Sequence, residues 1–214
     1  MYISRVELDV SNHQKIKNVF NLAGIHSWVE NSFPEEIKEK VRSRKLWRID
    51  EISKKKYLLI ISESKPNLKI LEENGVQGSC ETRNYDNYLN GLKKGMRYKF
   101  RVTLNPVKSI STGKKSGKRG RKFPQITEEQ QLDYLSERAN KNGFTLNENE
   151  YGIVERKYEH LKKQGKNLVK LSVVTYQGEL EINDVEVFKQ MLVSGLGGKK
   201  AYGCGMMTVI PIGR

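Results

Sequence analysis

Cysteine is nearly absent from this chain. Cys80 and Cys204 are the only two, far apart, with no Cys-x-x-Cys pair and no histidine at ligand spacing. That leaves no zinc cluster to propose and suits a reducing, cytoplasmic setting. Long apolar runs are missing as well. In the opening "MYISRVELDVSNH", Glu7 and Asp9 fall where a secretory signal would need its apolar core, and no membrane-spanning segment follows. Histidine is limited to His13, His26 and His160. Acid is missing from one long stretch. Between Lys93 and Lys122 there are twelve Lys or Arg and no Asp or Glu, which accounts for most of the excess of 39 basic over 25 acidic residues.

What that stretch does contain is charge on a loop. Its densest part, "STGKKSGKRGRKFP", is spaced by Gly and Ser and has no apolar period. A charge run is commonly a solvated face. One this one-sided, in a chain of formal charge +14, points to a polyanion. Nucleic acid is favoured over a membrane surface, because no basic amphipathic helix with a bulky apolar face accompanies the run.

A second glycine-rich stretch, "GLGGKKAYGCGMMTV" at 195–209, also suggests phosphate contact. A nucleotide cofactor does not fit it. A dinucleotide fingerprint needs a strand before the glycines and a helix after them, and here the order is reversed. The Walker pattern, with Ser or Thr after Gly-Lys at the required spacing, is absent. A helix C-cap with a tight strand entry is the structural alternative for the same residues.

Along the chain one layout occurs twice. "YISRVELDV" alternates as a strand. "HQKIKNVFNLAGIHSWVENSF" then reads as one helix, with Ile16, Val19, Phe20 and Ala23 on a face. "RKLWRIDEI" and "KYLLIISES" form a hairpin across Ser53 to Lys56, followed by a short helix "NLKILEENG" and a strand "VQGSCETRNY". After the connector "DNYLNGLKKG" the pattern restarts. "MRYKFRVTLNPVKS" is a strand and "TEEQQLDYLSERANKNG" a helix capped by Thr127 and closed by Gly143. Two strands, "YGIVERKYEHL" and "NLVKLSVVTYQGELEI", lead to a helix at 184 and a last strand in "AYGCGMMTVIP". Both halves read βαββαβ, so the expected class is α+β: two tandem ferredoxin-like domains, 1–90 and 96–214.

These residues together resemble the CasE-type CRISPR repeat-processing endoribonucleases of the type I-E Cascade complex. The resemblance rests on "MYISRV", on His-x6-Phe-Pro from His26 to Pro34, and on "FRVTLNPVKS" from residue 100. "YQGELEIND" near residue 180 and "GLGGKKAYGCGMMTV" complete the set, in the family's order from end to end. It implies tandem ferredoxin-like domains, a partner RNA that is a CRISPR repeat stem-loop, other Cascade subunits beside it, and no membrane.

Metal-free RNA scission turns the ribose 2′-OH on its own neighbouring phosphate, and needs a group titrating near neutrality plus cations. Only the three histidines titrate there unaided. His13 opens a helix and His160 ends a charged strand. His26 lies near the end of a helix beside Gly24, where a satisfied core histidine is the bland alternative; the resemblance places the family's catalytic histidine on it. The family commonly has Tyr three residues earlier, and this chain has Ala23. Tyr2, Tyr176 and Tyr202 are the candidates to replace it. Arg156 and Lys170 fall roughly where the family carries cations near the scissile phosphate. Arg97, Lys99 and Arg101 alternate on one strand face. Lys114, Lys115, Lys118, Arg119, Arg121 and Lys122 would grip phosphates, as would Gly197, Gly198, Lys199 and Lys200. No carboxylate or Cys/His group has ligand spacing, so no metal or other cofactor is expected. The resulting expectation is a metal-independent endoribonuclease cutting at the hairpin base, with an RNA-holding subunit of little turnover as the alternative.

Overall fold

The computed structural model describes residues 1–19, 21–110, 120–161 and 169–212. Its contacts divide the chain into two units: Met1–Lys93 with Lys189–Met207, and Lys94–Phe188 with Thr208–Arg214.

The first unit starts with β1 (Tyr2–Glu7), then α1 (His13–Val19), α2 (Leu22–Asn31) and α3 (Pro34–Lys38). A hairpin, β2 (Lys45–Ile52) and β3 (Lys55–Ser62), leads to α4 (Leu68–Glu72), β4 (Glu81–Asn84) and α5 (Asp86–Asn90). The sheet order is β2-β3-β1-β4, every pair antiparallel. Counting strands along the chain, that is the ferredoxin-like order read from one edge. Val6, Trp47, Leu58 and Ile60 point from the sheet into a core with Ile25, Trp28, Val29 and Leu71 from the helices. Full burial of such side chains contributes roughly 1.5–3 kcal/mol each. Trp28 also donates its indole N–H to the Leu71 carbonyl at 3.2 Å, so its burial leaves no orphaned donor.

The single helix expected over 13–33 is broken in two. Asn21 takes an extended conformation (φ −130°, ψ 163°), and its side chain accepts from the Gly24 amide at 2.9 Å. An Asn able to cap a new helix competes with continuing the old one. His26 thereby falls inside α2 rather than near a helix end. The hairpin turns on Ser53 and Lys54, both at positive φ (51° and 65°), the twist that suits two-residue hairpin loops. The short α3 was not anticipated, although Pro34 at its start with Glu35 and Glu36 in its first turn is an ordinary helix opening.

The second unit contains β5 (Arg97–Leu104), a separate hairpin β6 (Val107–Ile110) and β7 (Arg121–Pro124), and α6 (Glu128–Ala139). The chain continues through β8 (Phe144–Thr145), β9 (Tyr151–Leu161), β10 (Val169–Ile182), α7 (Val185–Ser194), whose residues from Lys189 on belong to the first unit, and β11 (Met207–Pro211). The sheet runs β11-β5-β10, with β9 and β8 both pairing to β10. This is the same ferredoxin-like order again. On one face Phe100, Val102 and Leu104 stand in register with Gly178, Tyr176 and Val174. Tyr176 is buried and donates its hydroxyl to the Gln131 carbonyl of α6 at 2.8 Å. The strand expected to run through "FRVTLNPVKS" breaks at Asn105–Pro106. Pro106 has no N–H to donate, and Asn105 turns its amide to the Ser172 carbonyl at 2.7 Å. Helix α6 begins as expected: Thr127 and Gln130 form a reciprocal capping box.

Candidate active site

His26 sits on the shoulder of α2. Ile25, Trp28 and Val29 face the core, Ala23 faces solvent, and the His26 side chain between them is 24% exposed. Glu30, one turn on, places Oε1 3.8 Å from Nδ1. On the other side Arg42 brings Nη2 to 3.2 Å from Nε2. A guanidinium has no lone pair, so Nε2 must accept this hydrogen bond. The ring is therefore the neutral tautomer with its proton on Nδ1, toward Glu30. Burial lowers the imidazole pKa most; Glu30 pulls it up, while the charges of Arg42 and Lys45 add to the lowering. The result lies below the ordinary histidine value, so the ring is neutral at pH 7.

Beneath His26 lies a built floor. The Lys45 side chain, 2% exposed, places Nζ 2.6 Å from Glu36 Oε2 and 3.6 Å from Glu30 Oε2, with the Phe33 ring 4.8 Å away. Glu36 also accepts from the Ser43 amide at 3.1 Å, the Ser43 hydroxyl at 2.7 Å and the Ser64 hydroxyl. Burial pushes the Glu36 carboxyl upward, but these donors outweigh it and hold the pKa at about 2. Above the floor opens a cleft of about 430 Å³, lined by His26, Glu30, Arg42, Ser43, Arg44, Lys45 and Ala201. Arg42 and Arg44 are exposed at its edge. A neutral imidazole thus stands beside three cations in a half-open space, a setting for an anion that must exchange a proton.

The glycine-rich stretch reaches the same cleft, although the sequence placed it with the second half. It packs in the first unit because its glycines allow close approach. At Gly203 (φ 74°) a Cβ would lie 2.8 Å from the Trp47 ring, and at Gly195 (φ 80°) 2.6 Å from Leu46. Arg48, paired with Asp50 at 2.6 Å, donates to the Met206 carbonyl at 2.8 Å and fastens the far end. The expected strand over "AYGCG" is instead a 3-10 turn, Lys200–Tyr202, and the strand starts only at Met207. The turn sets the Tyr202 ring 6.3 Å from that of His26, tilted by 59°. Lys199 lies 5.9 Å over the Tyr202 ring.

The four expected phosphate contacts here divide. Gly197, Gly198 and Lys199 are exposed. Lys200 is turned inward, donating Nζ to the Ser194 carbonyl at the end of α7, 2.6 Å away. Burial, then the Arg44 charge, bring its ammonium below the usual lysine range.

Other expected site residues lie on the second unit. Arg97, Lys99 and Arg101 do share a face, in register with Glu181, Glu179 and Gln177. Arg97 is held by Glu150 at 2.6 Å and Glu179 at 2.9 Å, while Lys99 stays exposed. Arg156 and Lys170 stand on one face of the β9–β10 ribbon, opposite Val174 and His160. Arg156 pairs with Glu128 at 3.0 Å, and Lys170 lies 3.8 Å over the Tyr158 ring. Arg121 and Lys122 form the start of β7 and are exposed. Lys114, Lys115, Lys118 and Arg119 lie outside the described residues. Among the tyrosines, burial drives the Tyr176 phenol up, and its hydroxyl is committed to Gln131. Tyr2 lies on β1, and Tyr202 is the tyrosine whose ring reaches His26. Arg42, Arg44, Lys45 and Glu30 were missed; "VRSRK" carried the signal, but its Arg44 and Lys45 were read only as the start of the strand "RKLWRIDEI".

Among the described residues, no three His, Cys, Asp or Glu side chains gather as metal ligands, and no helix is long and apolar enough to cross a membrane.

The chain is 25% identical over 222 residues to the CRISPR-associated endoribonuclease Cse3 of Thermus thermophilus, covering 99% of this chain and 100% of that one. It is 28% identical over 126 residues to the CRISPR system Cascade subunit CasE of Escherichia coli, covering 56% and 61% of the two. The structure of Cse3 bound to 19-nt RNA superposes with a TM-score of 0.83 at 24% identity, covering 99% of this chain and all of that one. A family model described as CRISPR associated protein matches residues 1–211, and the chain belongs to that family.

Proposed function

We propose that this protein is a metal-independent endoribonuclease of the cytoplasm. It binds the stem-loop of a CRISPR repeat RNA, cuts the precursor at the hairpin base, and works beside other Cascade subunits. The observation that carries the reading is the neutral His26, held with Nε2 toward a cation at the mouth of a positively lined cleft. Relatives carry the names endoribonuclease and Cascade subunit, and Cse3 is known with RNA bound.

The chemistry follows from the site. His26 Nε2 takes the proton of the 2′-OH, O2′ bonds to phosphorus, and the P–O5′ bond breaks. O5′ takes a proton from solvent in the half-open cleft, and the cut leaves a 2′,3′-cyclic phosphate. Arg42, Arg44 and Lys199 offer charge to the phosphate. Lys99, Arg101, Arg121, Lys122, Arg156 and Lys170 would track the RNA backbone on the second unit, with Lys114, Lys115, Lys118 and Arg119 adding to them. Lys200, tied to Ser194, steadies the loop rather than the RNA.

The test is a labelled repeat RNA incubated with protein, with and without EDTA. Cutting at the hairpin base that survives chelation is expected. His26→Ala should lower the single-turnover rate by about 10²–10⁴-fold while leaving affinity nearly unchanged. Rate and affinity falling together would make His26 a packing residue. One observation favours a second reading, an RNA-holding subunit of little turnover: Ala23, exposed on α2, stands where the resembled family has Tyr. Tight binding without cutting by the wild type would establish it.

A further inference from the structure

Arg42 occupies the atom that the proposed reaction needs free. Its Nη2 donates to His26 Nε2 at 3.2 Å, and its Nε is 3.5 Å from Glu30 Oε2. Yet its side chain is 68% exposed, on a segment between α3 and β2 with no regular structure. The groups around His26 differ in freedom. Glu30 is on its own helix, Tyr202 is fixed in the 3-10 turn, and Lys45 is buried against Glu36. Among the described residues, only Arg42 combines contact with His26, full charge and exposure. Its two partners are a neutral nitrogen and a carboxylate at the long end of ion-pair distance. A phosphodiester offers the same guanidinium two parallel charge-assisted hydrogen bonds, the stronger arrangement.

We propose that Arg42 is a catalytic residue that changes partners: it covers His26 in the free protein and transfers to the scissile phosphate when RNA enters the cleft. The transfer uncovers Nε2 as the 2′-OH arrives and brings a positive charge to the oxygens that gain charge at the pentavalent stage. Arg42 makes and breaks no covalent bond and keeps its proton. The 2′-OH proton goes to Nε2, and O5′ leaves with a proton from solvent. Departure of the cation also relieves one of the effects that hold the imidazole below its ordinary value, making it a better base once substrate is bound. The proposal rests on the cleft cutting RNA as described above.

The experiment compares wild type, Arg42→Gln and Arg42→Lys. Single-turnover cleavage of the labelled repeat stem-loop is measured beside affinity for the same RNA with a 2′-deoxy sugar at the cut site. The His26 ring is titrated by NMR in the RNA-free protein. Arg42→Gln should slow cleavage by about 10²-fold, as for loss of one transition-state donor, with affinity reduced only a few-fold. Its His26 should titrate at higher pH than in wild type, and Arg42→Lys should fall between. An unchanged or faster rate, with wild type active, would overturn the proposal alone. A rate loss matched by the loss in affinity would make Arg42 an ordinary backbone contact. An unmoved His26 titration would show that the two side chains do not meet. Wild type that binds but does not cut would overturn both this proposal and the endonuclease reading.

Discussion

A buried Lys45 and a part-buried Glu36 form the ion pair on which the cleft stands, Nζ to Oε2 at 2.6 Å. Both belong to short segments that would otherwise be loosely tied, the α3 turn and the first residue of β2. Removing one partner of such a pair leaves the other charged and poorly solvated, at a cost of about 3–5 kcal/mol. Glu30, 3.6 Å from the same ammonium, compensates in part. Glu36→Gln should therefore destabilise the protein by roughly 3 kcal/mol at pH 7, read by urea denaturation. The pH dependence has a fixed sign. The folded Glu36 pKa of about 2 lies below the ordinary 4.5. Its stabilisation is complete above that ordinary value and is lost as pH falls toward 2. The gap between wild type and variant should shrink over that window; a gap constant from pH 7 to pH 2.5 would remove the pair from the account.

The glycine-rich loop predicts two opposite outcomes for one substitution. Gly203 has φ 74°, and a Cβ there would press on Trp47 at 2.8 Å. Left-handed backbone alone costs a non-glycine residue about 1–3 kcal/mol, and the buried indole must also shift. Gly203→Ala should lower stability by at least that range and move Tyr202 with it. Gly198, with nothing near its Cβ position, should accept Ala almost without change. Thermal melts of the two variants decide. Equal melting temperatures would mean that the loop does not pack against Trp47.

Those glycines also show where sequence reasoning reached its limit. Strand alternation, the Thr127 cap and the Gly143 stop were all legible, because each depends on residues a few positions apart. So was the doubled βαββαβ order. The helix break at Asn21 was carried by one capping residue, while the apolar positions on either side of it, Ile16, Val19, Phe20 and Ala23, favoured continuation. The glycine loop was legible as unusual but not as to its partner. Which aromatic fills the space beside Gly203 depends on Trp47, from the other end of the chain. Likewise it was the resemblance that singled out His26 among the three histidines, since its local pattern alone also suits a core residue. Arg42, which touches it, lies sixteen residues later in a segment with no period to read. Lys200 looked like a phosphate ligand because its charge was visible and its tether to Ser194 was not.

The exposed end of one face of the second sheet predicts unequal roles for neighbouring cations. Arg97 divides its guanidinium between Glu150 and Glu179, whereas Lys99 is exposed two residues on. Each phosphate neutralised by a free cation contributes about one to the slope of log affinity against log salt. Lys99→Ala should reduce that slope by about one for the repeat stem-loop. Arg97→Ala should change it less, since its charge is already matched by two carboxylates. Affinity titrations from about 50 to 300 mM salt would check this. A larger effect at Arg97 than at Lys99 would show that RNA displaces both carboxylates.

Tyr202 is the tyrosine placed to relay the solvent proton to O5′ beside His26 in a chain that has Ala23. Its ring lies 6.3 Å from the imidazole, and its neighbour Ala201 lines the cleft. Lys199 stands over the Tyr202 ring, 5.9 Å from its centroid, and Tyr176 is already committed inside the second unit. Tyr202→Phe keeps the ring and removes only the hydroxyl. If the hydroxyl takes part, the single-turnover rate should fall by about 10²-fold with affinity retained. Ala23 is exposed one turn before His26, so a tyrosine there would stand on the same side of α2. Ala23→Tyr placed on the Tyr202→Phe background should therefore recover much of the lost rate, because either phenol would reach His26. A Tyr202→Phe variant as fast as wild type would confine Tyr202 to packing. A loss that Ala23→Tyr does not restore would tie the function of the hydroxyl to the glycine-rich loop itself rather than to a phenol near His26.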